Sequence, residues 1–175
     1  MYDQILFAKI GWAERYDGDS PDANTRDQSW CERHNFLEVA TRCYGYITHA
    51  NGKLPNPKGN RDNWVVIFVA PLKVHGPEIV PVGFYLKAKL ESEYLQRPDG
   101  LLDCLGVENI YCVSTLAANA VLIPSDKRLQ YALPSEATAH FTRQYCYARG
   151  NNVDNTQGWR KILAETAERV VGTLR

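Results

Sequence analysis

The segment 64–71, with the sequence WVVIFVAP, limits the possible folds more than any other part of the chain. A strand made from it carries apolar side chains on both faces, which is typical of a strand that is covered on both sides. It therefore predicts a central strand of a buried sheet. Other β-prone segments predict strands at 5–10, 42–49, 81–90, 110–115, 120–123 and 128–133.

Helical patterns are found towards the C-terminal end of the chain. Ser135 is suited to cap a helix that runs to about residue 143. From Trp159 to Leu174, apolar residues recur at steps of three and four, which predicts an amphipathic helix. Many short strands with few helices indicate the α+β class. We predict a closed or half-closed barrel of about five to seven short strands with flanking helices.

The length of 175 residues fits one compact domain. Residues 150–158 (GNNVDNTQG) are rich in turn-forming residues and predict a linker or hinge. We therefore predict a recognition domain over residues 1–150, followed by a linker and the C-terminal helix over residues 151–175.

Cysteine usage and hydropathy bear on the cellular compartment. The five cysteines are odd in number and scattered, and none forms a C-x-x-C pair, so neither a disulfide framework nor a zinc knuckle is indicated. No apolar run approaches the roughly 20 residues that span a bilayer. The first residues lack the basic and apolar regions of a secretory signal. We expect a cytoplasmic protein with reduced thiols and no membrane association.

The net charge is zero, which argues against bulk electrostatic binding to nucleic acid. The charge is nevertheless unevenly distributed. Residues 1–41 carry a balance of −4, residues 42–97 a balance of +4, and the remainder is neutral. The basic middle predicts contact with a few phosphates, and an ordinary solvated surface is the competing interpretation. The candidate phosphate-binding residues are Lys53, Lys58, Arg61, Lys87 and Lys89.

Aromatic side chains form two close pairs in the first fifty residues. A helical turn over 13–16 would place Trp12 and Tyr16 on one face. Alternation along the next predicted strand would place Tyr44 and Tyr46 together. Flat rings beside imidazole and amide groups suit a planar, hydrogen-bonding ligand such as a nucleobase. The candidate base-binding residues are Trp12, Tyr16, His34, Asn35, Tyr44, Tyr46 and Trp64.

Packing is the competing interpretation for each of these side chains. Aromatic residues dominate protein cores, so the two pairs could plug the end of a barrel. Trp64 opens the buried strand, where a packing role is favoured. A lone histidine such as His34 is more often a hydrogen-bonded structural residue than a base reader. The hydroxyls of Tyr44 and Tyr46 favour a role in binding, because in a core position each buried hydroxyl would need a hydrogen-bond partner.

Five different short motifs lie in the first half of the chain. They are ILFAKIGW at 5–12, YDG at 16–18, HNF at 34–36, CYGY at 43–46 and VGFY at 82–85. Together they resemble a class of bacterial defence proteins in which a domain of the PUA-like superfamily (related to EVE, ASCH and YTH domains) often precedes an HNH endonuclease. The resemblance covers most of residues 5–150.

This resemblance implies a pseudo-barrel that accepts a flipped, modified base, here a modified cytosine, in an aromatic pocket. It implies nucleic acid as the partner, with DNA favoured over RNA, and a role as the specificity module of a restriction or anti-phage nuclease. No nuclease domain follows residue 175, so the nuclease is expected to be either recruited or fused in a longer protein.

Catalytic patterns are weak by comparison. The HNF motif lacks the metal finger of HNH nucleases, and the nearest match to a PD-(D/E)-x-K nuclease has Arg128 where lysine is required. There is no G-x-S-x-G elbow, no Walker loop and no G-x-G-x-x-G, and Cys31 with His34 within one loop is not a usual catalytic pair. We predict no catalytic residue, metal ligand or cofactor. A metal-dependent endonuclease acting alone and an RNA-binding PUA-like module remain as alternatives.

Overall fold

The structure is a computed structural model that describes residues 1–18, 31–72, 78–102, 106–141, 143–153 and 158–175. Its strands are β1 (Ile5–Lys9), β2 (Glu38–Val39), β3 (Arg42–Gly45), β4 (Trp64–Pro71), β5 (Ile79–Gln96), β6 (Ile110–Leu116), β7 (Ala120–Leu122) and β8 (Tyr145–Arg149). Its α-helices are α1 (Ser135–Thr138) and α2 (Gly158–Leu174). Short 3-10 helices cover Cys31–His34, Ala117–Asn119 and Ser125–Tyr131.

The strands form one sheet in the order β2-β3-β6-β5-β4-β1-β8, with β7 also paired to β5. All pairs are antiparallel except β1 with β4, which are parallel. The α+β class is confirmed. Among the described residues β2 and β8 do not pair with each other, so the sheet is open and the predicted barrel is not confirmed.

Strand β5 belongs to both halves of this sheet, because it pairs with β4 in one half and with β6 in the other. It has 18 residues and extends well beyond the predicted segment 81–90. Up to Ala88 it pairs with β4, and from Lys89 onward it pairs with β6. Lys87, at the change of partner, has a φ of 49°, a conformation that non-glycine residues adopt only at a cost. The bend at Lys87 therefore turns one strand from one half of the sheet into the other.

The prediction for the segment 64–71 is confirmed, because β4 lies between β5 and β1 at the centre of the sheet. Its alternate side chains belong to two different cores. Ile67 packs in the core that lies between the sheet and α2, together with Leu163 and Val170 of that helix. Phe68 packs in the core on the opposite face, with Tyr85 and other residues. Both faces of β4 are thus covered, which explains its uninterrupted apolar sequence.

Gly83 allows a close approach between β5 and the segment that follows the first 3-10 helix. A Cβ atom at this position would lie within 2.5 Å of the Val121 carbonyl oxygen and would clash with the Phe36 ring. Phe36 instead packs edge-on against Tyr85, with ring centroids 5.4 Å apart, and against Phe68 at 5.6 Å. The glycine therefore fixes residues 34–36 against the centre of the sheet.

Several predicted elements differ from the observed ones. Residues 13–16 form no helical turn, because the Tyr16 hydroxyl accepts the Ala13 N–H and donates to the Gly11 carbonyl instead. The segment 128–133 is not a strand. Most of it belongs to the 3-10 helix Ser125–Tyr131, because the Arg128 side chain turns inward to bind carbonyl groups.

The helix predicted from Ser135 is only four residues long. Phe141, which is 2% exposed, turns into the core soon afterwards, and the chain then enters β8, a strand that was not predicted. The amphipathic helix at the C-terminal end is confirmed as α2, whose buried side chains belong to the same core as β1 and β4. No helix in the described parts of the chain is long and apolar enough to cross a membrane.

Candidate functional site

An open cleft of about 1180 Å³ lies at the end of the sheet where β8 is the edge strand. Three stretches of chain line it: residues 50–56, residues 92–94 at the end of β5, and residues between 140 and 160. Since these stretches are far apart in sequence, the cleft exists only in the folded chain.

One wall of the cleft is the ring of Tyr94. Its hydroxyl donates to the Ile47 carbonyl (2.8 Å) and accepts the His49 N–H (3.1 Å). One face of the ring stacks on Tyr46, with centroids 5.0 Å apart and an interplanar angle of 12°. The Tyr94 ring is therefore held in one orientation, as a stacking platform requires.

A second part of the lining comes from β8, where Tyr145 and Tyr147 alternate onto the same face of the strand. The Tyr145 hydroxyl lies 3.1 Å from the Lys53 carbonyl and 3.0 Å from the Leu54 carbonyl, so it ties the loop to the strand. Tyr147 packs against Trp64, with ring centroids 5.3 Å apart. Both tyrosines are thus positioned by contacts with parts of the chain that are distant in sequence.

The cleft is lined by more positive than negative charge. Lys53, Arg143 and Arg160 contribute cations, and Glu93 is the one acidic residue among its described lining. Lys53 and Arg143 are exposed. Arg160 is more firmly placed, since its guanidinium lies 4.2 Å from the centroid of the neighbouring Trp159 ring and donates to a backbone carbonyl of β8. Aromatic walls with cations at the rim can hold a flat, anionic ligand.

Cys146 also lines the cleft, but burial raises the pKa of its thiol to about 12. It is therefore a neutral thiol at physiological pH and a poor nucleophile. Among the residues that the structure describes, no three His, Cys, Asp or Glu side chains are grouped so that they could hold a metal ion.

Five of the residues predicted from sequence lie in or behind this cleft. Lys53 lines it directly. Tyr46 and Trp64 stand behind the rings of its two walls. The Lys58 backbone N–H donates to the Asn151 side chain (2.7 Å), and Arg61 donates to the Asn56 side chain, so both residues hold the loop. Trp64 itself is 0% exposed, so it supports the wall and presents no free face.

Neither residue of the first aromatic pair lines the cleft. Tyr16 is 0% exposed and packs in the core against Phe36. Trp12 is half-buried, with its ring 5.0 Å from the Arg128 guanidinium. Asn35 is also 0% exposed, and its amide exchanges two hydrogen bonds with the Tyr46 backbone, of 2.8 and 3.1 Å. In this conformation a base has no access to Tyr16 or to the Asn35 amide.

Tyr44 and His34 belong to another part of the surface. Tyr44 packs edge-on against Tyr111 at 4.8 Å and lies near the buried Arg97. Burial and the Arg97 charge lower the pKa of His34, so this imidazole is neutral at physiological pH. Base binding by Tyr44 and His34 stays a prediction.

Lys87 and Lys89 are both exposed on β5, away from the cleft lining. Lys89 forms a 3.1 Å ion pair with Glu91. Phosphate binding by these two lysines also stays a prediction.

Glu32 is a buried carboxylate, 7% exposed, that joins two segments. Its oxygens accept the Gly11 N–H (2.7 Å) and the Thr48 hydroxyl (2.9 Å). Burial raises its pKa, and the two hydrogen bonds oppose that rise only in part. The folded protein therefore binds this proton more tightly than the unfolded chain. The stabilising contribution is fully present at pH below the unfolded-state pKa and is lost as pH rises through the raised folded-state value.

The Glu32→Gln variant tests this linkage. Glutamine keeps one acceptor for Gly11, offers an N–H donor to the Thr48 hydroxyl, and does not ionise. We expect the free energy of unfolding of the wild type, relative to the variant, to fall as pH rises from acid to neutral. Urea unfolding of both proteins at a series of pH values measures it. A difference that stays constant across the series would contradict the raised pKa.

Sequence reasoning missed most of the lining residues, among them Tyr94, His140, Arg143, Tyr145, Tyr147 and Trp159. The alternation of Tyr145 and Tyr147 was a visible signal of a strand with an aromatic face. Nothing local in the sequence links that strand to residue 53 or residue 94. No protein-family model, curated protein or solved structure matches the chain.

Proposed function

We propose that the chain is a nucleic-acid reader whose cleft takes one unstacked base between the rings of Tyr94 and Tyr145. The observation that carries this proposal is a wide cleft with fixed aromatic walls and three cations at its edge. Neutral overall charge fits a domain whose affinity comes from one specific pocket rather than from a basic surface.

The free energy gained by stacking a base on aromatic side chains can match the cost of removing that base from a duplex. Removing a base from a duplex costs a few kcal/mol. Stacking on an aromatic side chain contributes about 1–3 kcal/mol per base, so two walls can offset extrusion. Selectivity then depends on whether a group attached to the base fills the remaining space. The cleft volume of about 1180 Å³ leaves room for a substituted base together with part of its backbone.

We also propose a fold type, a ligand and a biological role for this domain. The two halves of the sheet, joined by the bent strand β5, are proposed to be a half-barrel of the PUA-like type that the sequence motifs resemble. The base is proposed to be a modified cytosine in DNA. The domain would serve in the cytoplasm as the non-catalytic specificity module of a restriction or anti-phage nuclease that is fused or recruited.

A binding comparison tests the proposal. Duplexes that differ only in one cytosine, which is unmodified, 5-methylated, 5-hydroxymethylated or glucosylated, are titrated with the protein and followed by fluorescence anisotropy. We expect at least one modified duplex to bind about tenfold more tightly than the unmodified duplex, as filling a shaped pocket would give. Equal weak binding to all four would refute recognition of a modified base. Competition with a matched RNA strand identifies the preferred nucleic acid.

A further inference from the structure

A second pair of parallel rings lines the cleft, far in sequence from Tyr94. The His140 imidazole stacks on the Trp159 indole, with ring centroids 5.4 Å apart and an interplanar angle of 14°. Both residues line the cleft. The geometry is close to that of the Tyr46–Tyr94 stack, whose rings are 5.0 Å apart and inclined at 12°. The cleft therefore has two lining rings, Tyr94 and His140, that are each supported by a parallel ring.

Packing in the core does not explain the position of His140. This residue is exposed. The next residue, Phe141, is 2% exposed and packs edge-on against Phe7, with centroids 6.3 Å apart, so it anchors the segment by itself. In the described parts of the chain, no ring other than Trp159 stacks on His140. One face of the imidazole is thus left without a stacking partner at the surface of the cleft.

Trp159 is held in place from two directions. It is the second residue of α2 and packs against the core between the sheet and that helix. The guanidinium of Arg160 lies 4.2 Å from the indole centroid and donates to the Tyr147 carbonyl of β8. The indole is therefore tied to the core and to β8, and the His140 ring rests on a fixed support.

The size of the cleft allows more than one base. Its volume of about 1180 Å³ exceeds the roughly 300–1,000 Å³ that is typical of a pocket for one small ligand. Strand β8 connects the parts of its lining. The Tyr145 hydroxyl binds the carbonyls of residues 53 and 54, and the Tyr147 carbonyl accepts from Arg160 beside the His140–Trp159 stack. The lining is thus one connected surface.

We infer that His140, supported by Trp159, is a second stacking platform that takes the base next to the one held by Tyr94 and Tyr145, an assignment that rests on the proposed function. The ligand is then a DNA strand with two successive unstacked bases. Stacking on His140 offsets the cost of unstacking the second base. Because every base has a flat face, this platform adds affinity with little sequence preference, and selectivity stays with the first base.

Abasic sites test the second platform. Three labelled single strands of equal length carry the cytosine that the duplex comparison prefers, with an intact neighbour, with an abasic site 5′ to it, or with an abasic site 3′ to it. Since the phosphates are the same, a difference in affinity reports the missing base. We expect one of the abasic strands to bind the wild type about tenfold more weakly than the intact strand, as the loss of one stacked base gives.

The His140→Ala variant completes a double-mutant cycle with the abasic site. This variant should bind the intact strand about tenfold more weakly than the wild type does. It should bind the abasic strand no more weakly still, because the ring and the base act on each other. Its melting temperature should stay near that of the wild type, since the side chain is exposed. Losses that simply add would show that ring and base act independently and would overturn the assignment.

His140→Phe and Gln144→Ala are the controls. Phenylalanine keeps a flat ring without the imidazole nitrogens, so His140→Phe should bind the intact strand nearly as well as the wild type. A loss as large as that of His140→Ala would rule out stacking as the role of this ring. Gln144 is exposed and lies outside the described lining of the cleft, so Gln144→Ala should bind like the wild type.

Binding of the intact strand to the wild type separates failure of the second platform from failure of the reader. If the intact strand binds, and neither an abasic neighbour nor His140→Ala weakens that binding, the second platform is wrong and the reader stands. If the wild type binds no strand with any of the cytosines, the proposed function is wrong and the second platform falls with it.

Discussion

Replacing Arg128 with alanine is expected to lower the free energy of unfolding by about 3–5 kcal/mol, because backbone carbonyls lose their donor, at roughly 1–3 kcal/mol for each one that stays buried, and a cavity forms. The Arg128 side chain is 0% exposed. It donates to three backbone carbonyls, those of Ile123 (2.9 Å), Ala13 (2.6 Å) and Glu14 (2.7 Å). Alanine would leave these carbonyls without their partner and open a cavity at the same place.

Arg128 also organises the segment that follows β1. Its guanidinium lies 5.0 Å from the Trp12 ring centroid and 5.4 Å from that of Tyr16. Residues 11–16 have no regular secondary structure, so these contacts and the carbonyl hydrogen bonds hold them. We expect Arg128→Ala to increase hydrogen exchange in this segment more than in β4.

Urea unfolding measures the change, with Lys127→Ala as the control. Lys127 is the preceding residue and is exposed, so its removal should alter the free energy of unfolding by less than about 0.5 kcal/mol. Arg128→Lys should lie between the two, since one ammonium group cannot reach three separate carbonyls with the geometry of a guanidinium. A loss below about 1 kcal/mol for Arg128→Ala would contradict its structural role.

Arg128 shows why part of the fold could not be predicted from sequence. The central strand β4 and helix α2 were predictable because their apolar periodicity is local and their burial follows from it. The segment 128–133 was also predicted as a strand. Its conformation is set by an arginine that binds carbonyls near the other end of the chain, and no local pattern contains that information.

The candidate site was only partly predictable for the same reason. The spacing of aromatic residues predicted a binding site with flat rings, and Lys53, which lines the cleft, was among the predicted phosphate-binding residues. The pairings that build the cleft join distant residues, such as Tyr46 with Tyr94 and Trp64 with Tyr147. The Tyr16 hydroxyl is hydrogen-bonded within residues 11–16, which allows this tyrosine to be fully buried.

Reversing two charges at the cleft should have the largest effect on binding. Lys53 and Arg143 are both exposed and both line the cleft, so Lys53→Glu with Arg143→Glu changes the field without disturbing the core. We expect a loss of affinity for DNA of at least about a hundredfold at low salt, since two charge-assisted contacts become repulsive. The slope of log K against log salt should decrease in magnitude by about 2, one for each phosphate contact removed.

The matched control is the double reversal Lys87→Glu with Lys89→Glu. Both lysines are exposed on β5, and the change in net charge is identical, but neither residue lines the cleft. If the cleft binds the strand, this control should weaken binding only slightly and leave the salt slope nearly unchanged. If the β5 pair abolishes binding while the cleft pair does not, phosphate contact occurs on the face that carries Tyr44 and Tyr111, and the cleft has another ligand. Equal losses in both variants would instead indicate a general effect of charge, because each reversal changes the net charge by the same amount and only their positions differ.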